Sequence, residues 1–227
     1  KRQLRYHGIF DEAEALLNES VAISERLNLD YSARLGAVLL SELCLYTGQL
    51  NCAKAWLQRA LRGSPPDTYA VVVNSAWLAG QVALLEGDFD TARRQIGRLA
   101  AMPPQSSPRI NTNTWAIEIG LRLLRDDAVP EELAHRFEQG FSFAKSSCCQ
   151  DFSAYIYYRL LKSRAGEAAA VAALRQYVTA DRRERAPLPF FLASVLDHVD
   201  ATATPQLPAE YPSLYDATGW NSSAPSA

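Results

Sequence analysis

The sequence has little net charge and no long apolar run. Its 227 residues carry a formal charge of -2 at pH 7, so the chain has no general electrostatic attraction to the phosphate backbone of nucleic acid. No apolar stretch approaches the roughly 18 residues that span a bilayer, and the N-terminus has no secretory signal pattern. These absences argue against direct nucleic acid binding and against membrane insertion, and they favour a cytoplasmic protein.

Patterns of metal-ligating cysteines are also missing. None of the four cysteines belongs to a CxxC pair or lies near a histidine at metal-ligand spacing. They are Cys44, Cys52, Cys148 and Cys149. We expect buried, reduced thiols. A Cys44–Cys52 bridge across a helical hairpin, or redox chemistry at the adjacent pair, is the alternative.

The sequence lacks the motifs that identify an enzyme. It has no glycine-rich phosphate loop, no GxSxG elbow and no HExxH helix. His7, His135 and His198 have no acidic partner at the spacing of a metal site or a catalytic triad. We therefore expect no catalysis and no cofactor. With 48% hydrophobic residues the chain is nevertheless apolar enough to fold around a core.

The main feature that the sequence does contain is a ten-residue segment that recurs along the chain. It reads GIFDEAEALL from Gly8, GQLNCAKAWL from Gly48 and GDFDTARRQI from Gly87, with an apolar residue two positions after each glycine and an alanine five positions after it. The glycines are 40 and 39 residues apart. The same step predicts turns near Asp127 and at Gly166. Five turns at one period indicate an internal repeat.

Each repeat predicts a helix, a tight turn and a second helix. Glycine is favoured where the first helix ends because it adopts the left-handed conformation without a steric penalty. Ala53 and Ala92 lie one turn inside the second helix, where a small side chain allows the two helices to approach closely. Ser41, Gly80 and Gly120, seven residues before a turn, are small residues in mid-helix and indicate close helix contact in the same way.

This pattern resembles the tetratricopeptide repeat family, whose units combine a Gly-Asp-aromatic turn, a following alanine and a proline after the second helix. The residues that carry the resemblance are Gly48, Ala53, Ala60 and Pro65 in one unit, and Gly80, Gly87, Asp88, Phe89, Ala92 and Pro104 in the next. The period of 39 to 40 residues is similar to the extended repeats of bacterial signalling and transcriptional regulators, and HEAT repeats also reach it. The resemblance implies an all-α, right-handed α-solenoid of about five helix-turn-helix repeats.

The helical pattern predicts eleven helices and no strand. They cover residues 2–7, 11–27, 31–47, 51–62, 67–86, 89–101, 111–126, 130–145, 150–164, 167–184 and 188–199. We assign residues 1–200 to the helical repeat domain and 201–227 to a tail rich in Pro, Ser and Ala. The tail is expected to be flexible, and docking along the solenoid through its aromatic residues is the alternative. The chain opens with Lys1 and not with methionine, which favours a piece of a larger protein.

The candidate binding surface is formed by the first helix of each unit. Counting back 13, 10 and 6 residues from each turn gives a mostly apolar surface with a few amide and carboxylate groups, which suits an extended peptide or an amphipathic helix. The predicted partner contacts are Glu42, Asn74, Trp77, Gln81 and Thr114. Other positions of this surface are Leu35, Val38, Ile117, Leu121, Ser153, Ile156 and Leu160. The alternative is that Trp77 and the aliphatic residues form a core between units.

A second candidate is the aromatic-rich segment 137–162, which holds seven aromatic residues. Core packing between the fourth and fifth units explains most of them. An exposed patch for a partner or for self-association is the alternative.

The leading hypothesis for function is a non-catalytic module that binds a protein or peptide segment. The resemblance implies the regulatory or interaction domain of a larger bacterial signalling or transcriptional regulatory protein. A small-molecule sensor with its ligand in the groove near Trp77, and a structural dimerisation spacer, are the alternatives. Formation of a homodimer is left open.

Overall fold

The computed structural model describes residues 2–62, 69–102, 108–144, 151–180 and 188–200, which form ten α-helices and contain no β-strand. The helices are α1 Arg2–Arg26, α2 Asp30–Tyr46, α3 Leu50–Leu61, α4 Tyr69–Glu86, α5 Phe89–Ala100, α6 Pro108–Leu124, α7 Glu131–Ala144, α8 Asp151–Ala165, α9 Glu167–Ala180 and α10 Phe190–Asp200. The all-α prediction is therefore confirmed for this part of the chain. Cys148, Cys149 and the predicted tail lie outside the described residues.

The helices pack as hairpins that are layered on one another. The hairpins are α2 with α3, α4 with α5, α6 with α7 and α8 with α9. The first helices of the four hairpins, α2, α4, α6 and α8, also pack against one another in that order, and we call them the first-helix layer. A helix with neighbours on several sides needs apolar residues around its whole circumference, and Val71, Leu78 and Leu84 of α4 are each at most 1% exposed. Among the described residues, no helix is both long and apolar enough to cross a bilayer.

The predicted turns are found at one spacing. Gly48, Gly87 and Gly166 have φ angles of +81°, +74° and +87°, and Asp126 has +53°. These four residues are 39, 39 and 40 positions apart. Asp126 replaces glycine because aspartate tolerates the left-handed region better than most residues. The turns predicted at 48, 87, near 127 and at 166 are therefore confirmed.

The turn predicted at Gly8 is wrong, because α1 runs without a break through it from Arg2 to Arg26. The six residues of the helix predicted at 2–7 make less than two turns, which is too short for a stable separate helix. One glycine inside a long helix costs only about 1 kcal/mol relative to alanine. The described chain thus has four hairpins at the period, preceded by α1 and followed by α10.

Small residues allow close contact within hairpins and between them. The hydroxyl of Ser41 donates to the carbonyl oxygen of Ala53 at 2.9 Å in the buried corner of the first hairpin. A Cβ atom placed on Gly80 would lie 2.8 Å from Ile117 Cδ1 of α6. A Cβ atom on Gly120 would lie 2.9 Å from side-chain atoms of both α4 and α8. Serine thus closes a hairpin, while the two glycines let neighbouring first helices stack.

A disulfide bond joins Cys44 of α2 to Cys52 of α3. The two residues lie on opposite sides of the turn at Gly48, eight positions apart, with their Cα atoms 5.8 Å from each other, which is within the usual range for a disulfide. The expectation of reduced thiols is wrong for this pair. The tight hairpin brings the two side chains together, as the alternative interpretation of the sequence proposed.

Candidate functional site

The structure places the five predicted contact residues on three adjacent helices, with different exposure. Glu42 of α2, Asn74 of α4 and Thr114 of α6 are half-buried. Trp77 and Gln81 of α4 are 5% and 0% exposed. A partner that contacts the last two side chains has to displace what covers them. The assignment of all five residues to a partner site stays a prediction.

Gln81 is a buried side chain with unused hydrogen-bonding capacity. Within the described part of the chain, neither Oε1 nor Nε2 of its amide has a hydrogen-bond partner. A buried polar group in this state costs about 1–3 kcal/mol. Any polar group that reaches this amide therefore forms a favourable hydrogen bond.

The last described helix, α10, contacts both ends of the first-helix layer. Phe191 is 3% exposed. Its ring lies 6.1 Å from that of Tyr46 on α2, and 6.0 and 5.6 Å from those of Phe152 and Tyr155 on α8, measured between centroids. Tilted and edge-on ring pairs at these distances are favourable beyond the area they bury. The helix thus joins the first hairpin to the last one.

The neighbouring residue of α10, Phe190, packs on the turn of the first hairpin. A Cβ atom on Gly48 would lie 3.3 Å from Phe190 Cγ, so the aromatic ring lies directly over the glycine. Leu192 and Val195 are 0% and 5% exposed. Together these residues form the apolar face of a short amphipathic helix.

The contacts of α10 lie on the surface that the sequence assigns to a partner. Tyr46 is one helical turn after Glu42, and Phe152 is one turn before Ile156, so each lies on the same helix face as a predicted surface position. The sequence predicts a helix at 188–199 but gives it no role. The sequence feature that indicates a docking helix is the pair Phe190-Phe191 followed by Leu192 and Val195. This pattern does not identify the surface on which the helix docks.

In the described part of the aromatic-rich segment 137–162, most of the aromatic rings are core, as its first interpretation predicts. Its buried rings are Phe137, Phe141, Phe152, Tyr155 and Tyr158, none more than 5% exposed. Phe141 packs against Tyr157 and Tyr177 at 5.2 and 5.7 Å between ring centroids. Burial, with a smaller contribution from the carboxylate of Glu138, raises the pKa of the Tyr157 hydroxyl. These rings hold α7, α8 and α9 together.

A cleft of about 410 Å³ opens between α1, α2 and α3, and no pattern in the sequence predicts it. Arg34 lines it and donates to the carbonyl oxygens of Ala60 and Arg62 at 3.0 and 2.8 Å, and to Asp30 at 2.8 Å. A cation that binds the free carbonyls at a helix end stabilises that end. Arg59 in turn pairs with Glu25. The arginines of this cleft thus close the end of α3 against α1 and α2.

The described residues contain no group of three or more His, Cys, Asp or Glu side chains placed to hold a metal ion. Of the three histidines, only His135 has a described side chain, and this exposed ring is hydrogen-bonded to Gln139 at 2.8 Å. Comparison of the chain with protein-family models, with curated proteins and with solved structures gave no match. Any proposal for function therefore rests on the geometry of the first-helix layer and of α10.

Proposed function

We propose that this chain is a non-catalytic scaffold that binds a protein or peptide segment on its first-helix layer. In this proposal the four hairpins form a right-handed, tetratricopeptide-like solenoid that needs no cofactor. The equal spacing of the turns and the stacking of α2, α4, α6 and α8 support this architecture. Stacked hairpins of this kind provide an extended surface for binding.

The occupant that the first-helix layer fits best is an amphipathic helix with aromatic residues on its apolar face. The observation that carries this proposal is the contact of Phe191 with Tyr46 at one end of the layer and with Phe152 and Tyr155 at the other. The helix α10 lies on these residues in the manner of a helix bound in a groove. A partner helix of similar pattern would form the same ring contacts.

The predicted contact residues have three roles in this proposal. Glu42, Asn74 and Thr114, which are half-buried, contact the partner directly. Gln81, whose buried amide has no partner among the described residues, forms hydrogen bonds with a polar group of the partner once what covers it is displaced. Trp77 lies between Asn74 and Gln81 on α4 and adds apolar contact area once the same displacement exposes it.

The resemblance to repeat-containing regulators extends the proposal to the role of the whole protein. In this view the chain is the interaction domain of a bacterial signalling or transcriptional regulator in the cytoplasm. It binds a protein segment there, while nucleic acid and membrane are not its ligands, in keeping with its net charge of -2.

A fluorescent peptide that copies residues 188–200 tests this function. In the wild-type chain α10 competes with the peptide for the first-helix layer. Because α10 is part of the same chain, its effective concentration at this surface is high. The variant Phe191→Asp releases α10, so we expect it to bind the peptide at least about tenfold more tightly than wild type does, measured by fluorescence anisotropy.

A peptide in which both phenylalanines are replaced by alanine is the control, and it should bind neither protein. Circular dichroism establishes that Phe191→Asp keeps the helical content of wild type. Equal binding of the peptide to both proteins, or no binding to a folded Phe191→Asp variant, rules out the first-helix layer as a helix-binding surface.

A further inference from the structure

An apolar stripe on α1 is exposed. Leu16, Ile23 and Leu27 are 60%, 38% and 58% exposed. Their spacing of seven and four residues places them on one side of a helix. The Leu27 backbone N–H bonds to the Ile23 carbonyl oxygen at 3.0 Å, so the helical geometry continues to Leu27. Six of the seven exposed large hydrophobic residues in the described chain lie between residues 16 and 39.

The packing of α1 within the chain does not use this stripe. Val21 and Ser24, which are 2% and 6% exposed, lie on a different side of the helix. The Val21 side chain fills the space beside Gly36 of α2, where a Cβ atom would otherwise be. In the described chain α3 and α5 each pack closely between two helices of the first-helix layer, whereas α1 packs closely only against α2.

The positions of the stripe are spaced symmetrically along the helix. With Ser20, which is exposed, its positions are 16, 20, 23 and 27, at intervals of four, three and four residues. When two copies of such a helix pack antiparallel, Leu16 of each lies opposite Leu27 of the other. The small Ser20 then lies opposite the larger Ile23. A pattern with this symmetry is complementary to itself, as a two-fold interface requires.

The charges beside the stripe also suit an antiparallel pair. Glu19 and Arg26 are exposed, seven residues apart, and so lie on the same flank of the stripe. In an antiparallel helix pair the same flank of both helices meets, so Glu19 of each copy faces Arg26 of the other. Neither residue forms an ion pair within the described part of the chain.

We propose that two copies of this chain associate through α1 to form an antiparallel, two-fold symmetric dimer. The apolar contacts come from Leu16, Ile23 and Leu27, and two Glu19–Arg26 pairs fix the direction of the helices. This surface is separate from the first-helix layer and does not depend on the function proposed above.

Sedimentation equilibrium of the full chain tests the dimer. We expect wild type to approach twice the 25.1 kDa mass of the chain as its concentration rises. The double variant Leu16→Glu/Leu27→Glu should remain monomeric with unchanged helical content, because both side chains are exposed. Tyr69→Glu changes an exposed aromatic residue outside the stripe and should still dimerise. A monomeric wild type, or a double variant that dimerises as well as wild type, overturns the proposal.

Charge exchange tests the direction of the pair. Glu19→Arg and Arg26→Glu each place like charges opposite one another twice, so each should weaken the dimer roughly tenfold. The combined variant Glu19→Arg/Arg26→Glu, and an equimolar mixture of the two single variants, should recover the dissociation constant of wild type. Failure of both to recover it contradicts the antiparallel arrangement.

Discussion

At the scale of single residues, glycines with the same backbone conformation have different surroundings. Gly48 and Gly166 both end the first helix of a hairpin, with φ angles of +81° and +87°. A side chain on Gly48 would meet the ring of Phe190, whereas nothing lies within 4 Å of the Cβ position on Gly166. The sequence predicts both turns but not this difference, because Phe190 is far away along the chain.

Alanine at these two positions should separate backbone strain from packing. Gly166→Ala costs about 1–2 kcal/mol, the penalty for a left-handed alanine. Gly48→Ala should cost more, because Phe190 has to move as well. The free energy of unfolding in urea measures both. In a Phe190→Ala background the excess at Gly48 should disappear, and an excess that persists there contradicts the packing of α10 on this turn.

Asp88 caps α5 and should make its stability depend on pH. Hydrogen bonds from the Thr91 hydroxyl and the Thr91 backbone N–H lower the pKa of the Asp88 carboxyl. Its contribution is therefore present above the unfolded pKa of about 3.9 and is lost as the pH falls through the lower folded value. Asp88→Ala should cost about 1 kcal/mol at neutral pH.

Asp88→Asn keeps the hydrogen-bond acceptor but does not titrate. The difference in free energy of unfolding between wild type and Asp88→Asn should therefore shrink as the pH falls below the unfolded pKa. A difference that does not change with pH contradicts the role of the charged cap.

At the scale of helices and hairpins, the sequence predicted most of the architecture because the information is local. Glycine or aspartate ends a helix, Asp88 begins the next one, and apolar residues recur at helical spacing, so nearly all boundaries match the structure to within a few residues. The break predicted at Gly8 is wrong because one glycine costs a long helix only about 1 kcal/mol and does not by itself end it. For Gly80 and Gly120 the sequence predicts close contact with another helix, but it does not identify that helix as the neighbouring one in the first-helix layer.

Two glycines in mid-helix should respond differently to replacement by alanine. Gly97 of α5 has open space around its Cβ position, so Gly97→Ala should stabilise the protein by about 0.5–1 kcal/mol through helix propensity. Gly120→Ala gains the same propensity but pushes against Ile156 on α8 and Leu84 on α4. Overpacking costs about 1–3 kcal/mol, so we expect no net gain. Equal stabilisation by both variants in thermal unfolding would count against the stacking of α4, α6 and α8.

The Cys44–Cys52 bond should stabilise the first hairpin. Closing a loop of this length lowers the conformational entropy of the unfolded chain, which stabilises the folded state by about 2–3 kcal/mol. A reducing agent should therefore lower the unfolding temperature of wild type but not that of Cys44→Ser/Cys52→Ser. Alkylation without reduction, followed by peptide mass analysis, should leave Cys44 and Cys52 unlabelled. Labelling of both thiols in the unreduced protein would disprove the bond.

At the scale of the whole molecule, the structure adds a contact that the repeat pattern does not contain. A plain stack of hairpins contacts only its neighbours, yet Phe191 connects Tyr46 of the first hairpin to Tyr155 of the last. No local pattern predicts this contact, since it depends on how far the stack curves. The burial of Trp77, which is 5% exposed, agrees with the core that the sequence offers as the alternative. The burial of Gln81 is not predictable, because counting along a helix identifies a face but not what covers it.

Phe191 brings α10 into contact with both ends of the first-helix layer, at Tyr46 of α2 and at Phe152 and Tyr155 of α8. Hydrogen exchange measured by mass spectrometry on Phe191→Ala, with the core truncation Leu99→Ala in α5 as the control, tests this connection. We expect faster exchange in peptides from both α2 and α8 of Phe191→Ala, and an effect centred on α4 and α5 for Leu99→Ala. Faster exchange confined to α8 and α10 of Phe191→Ala, with α2 unchanged, would contradict it.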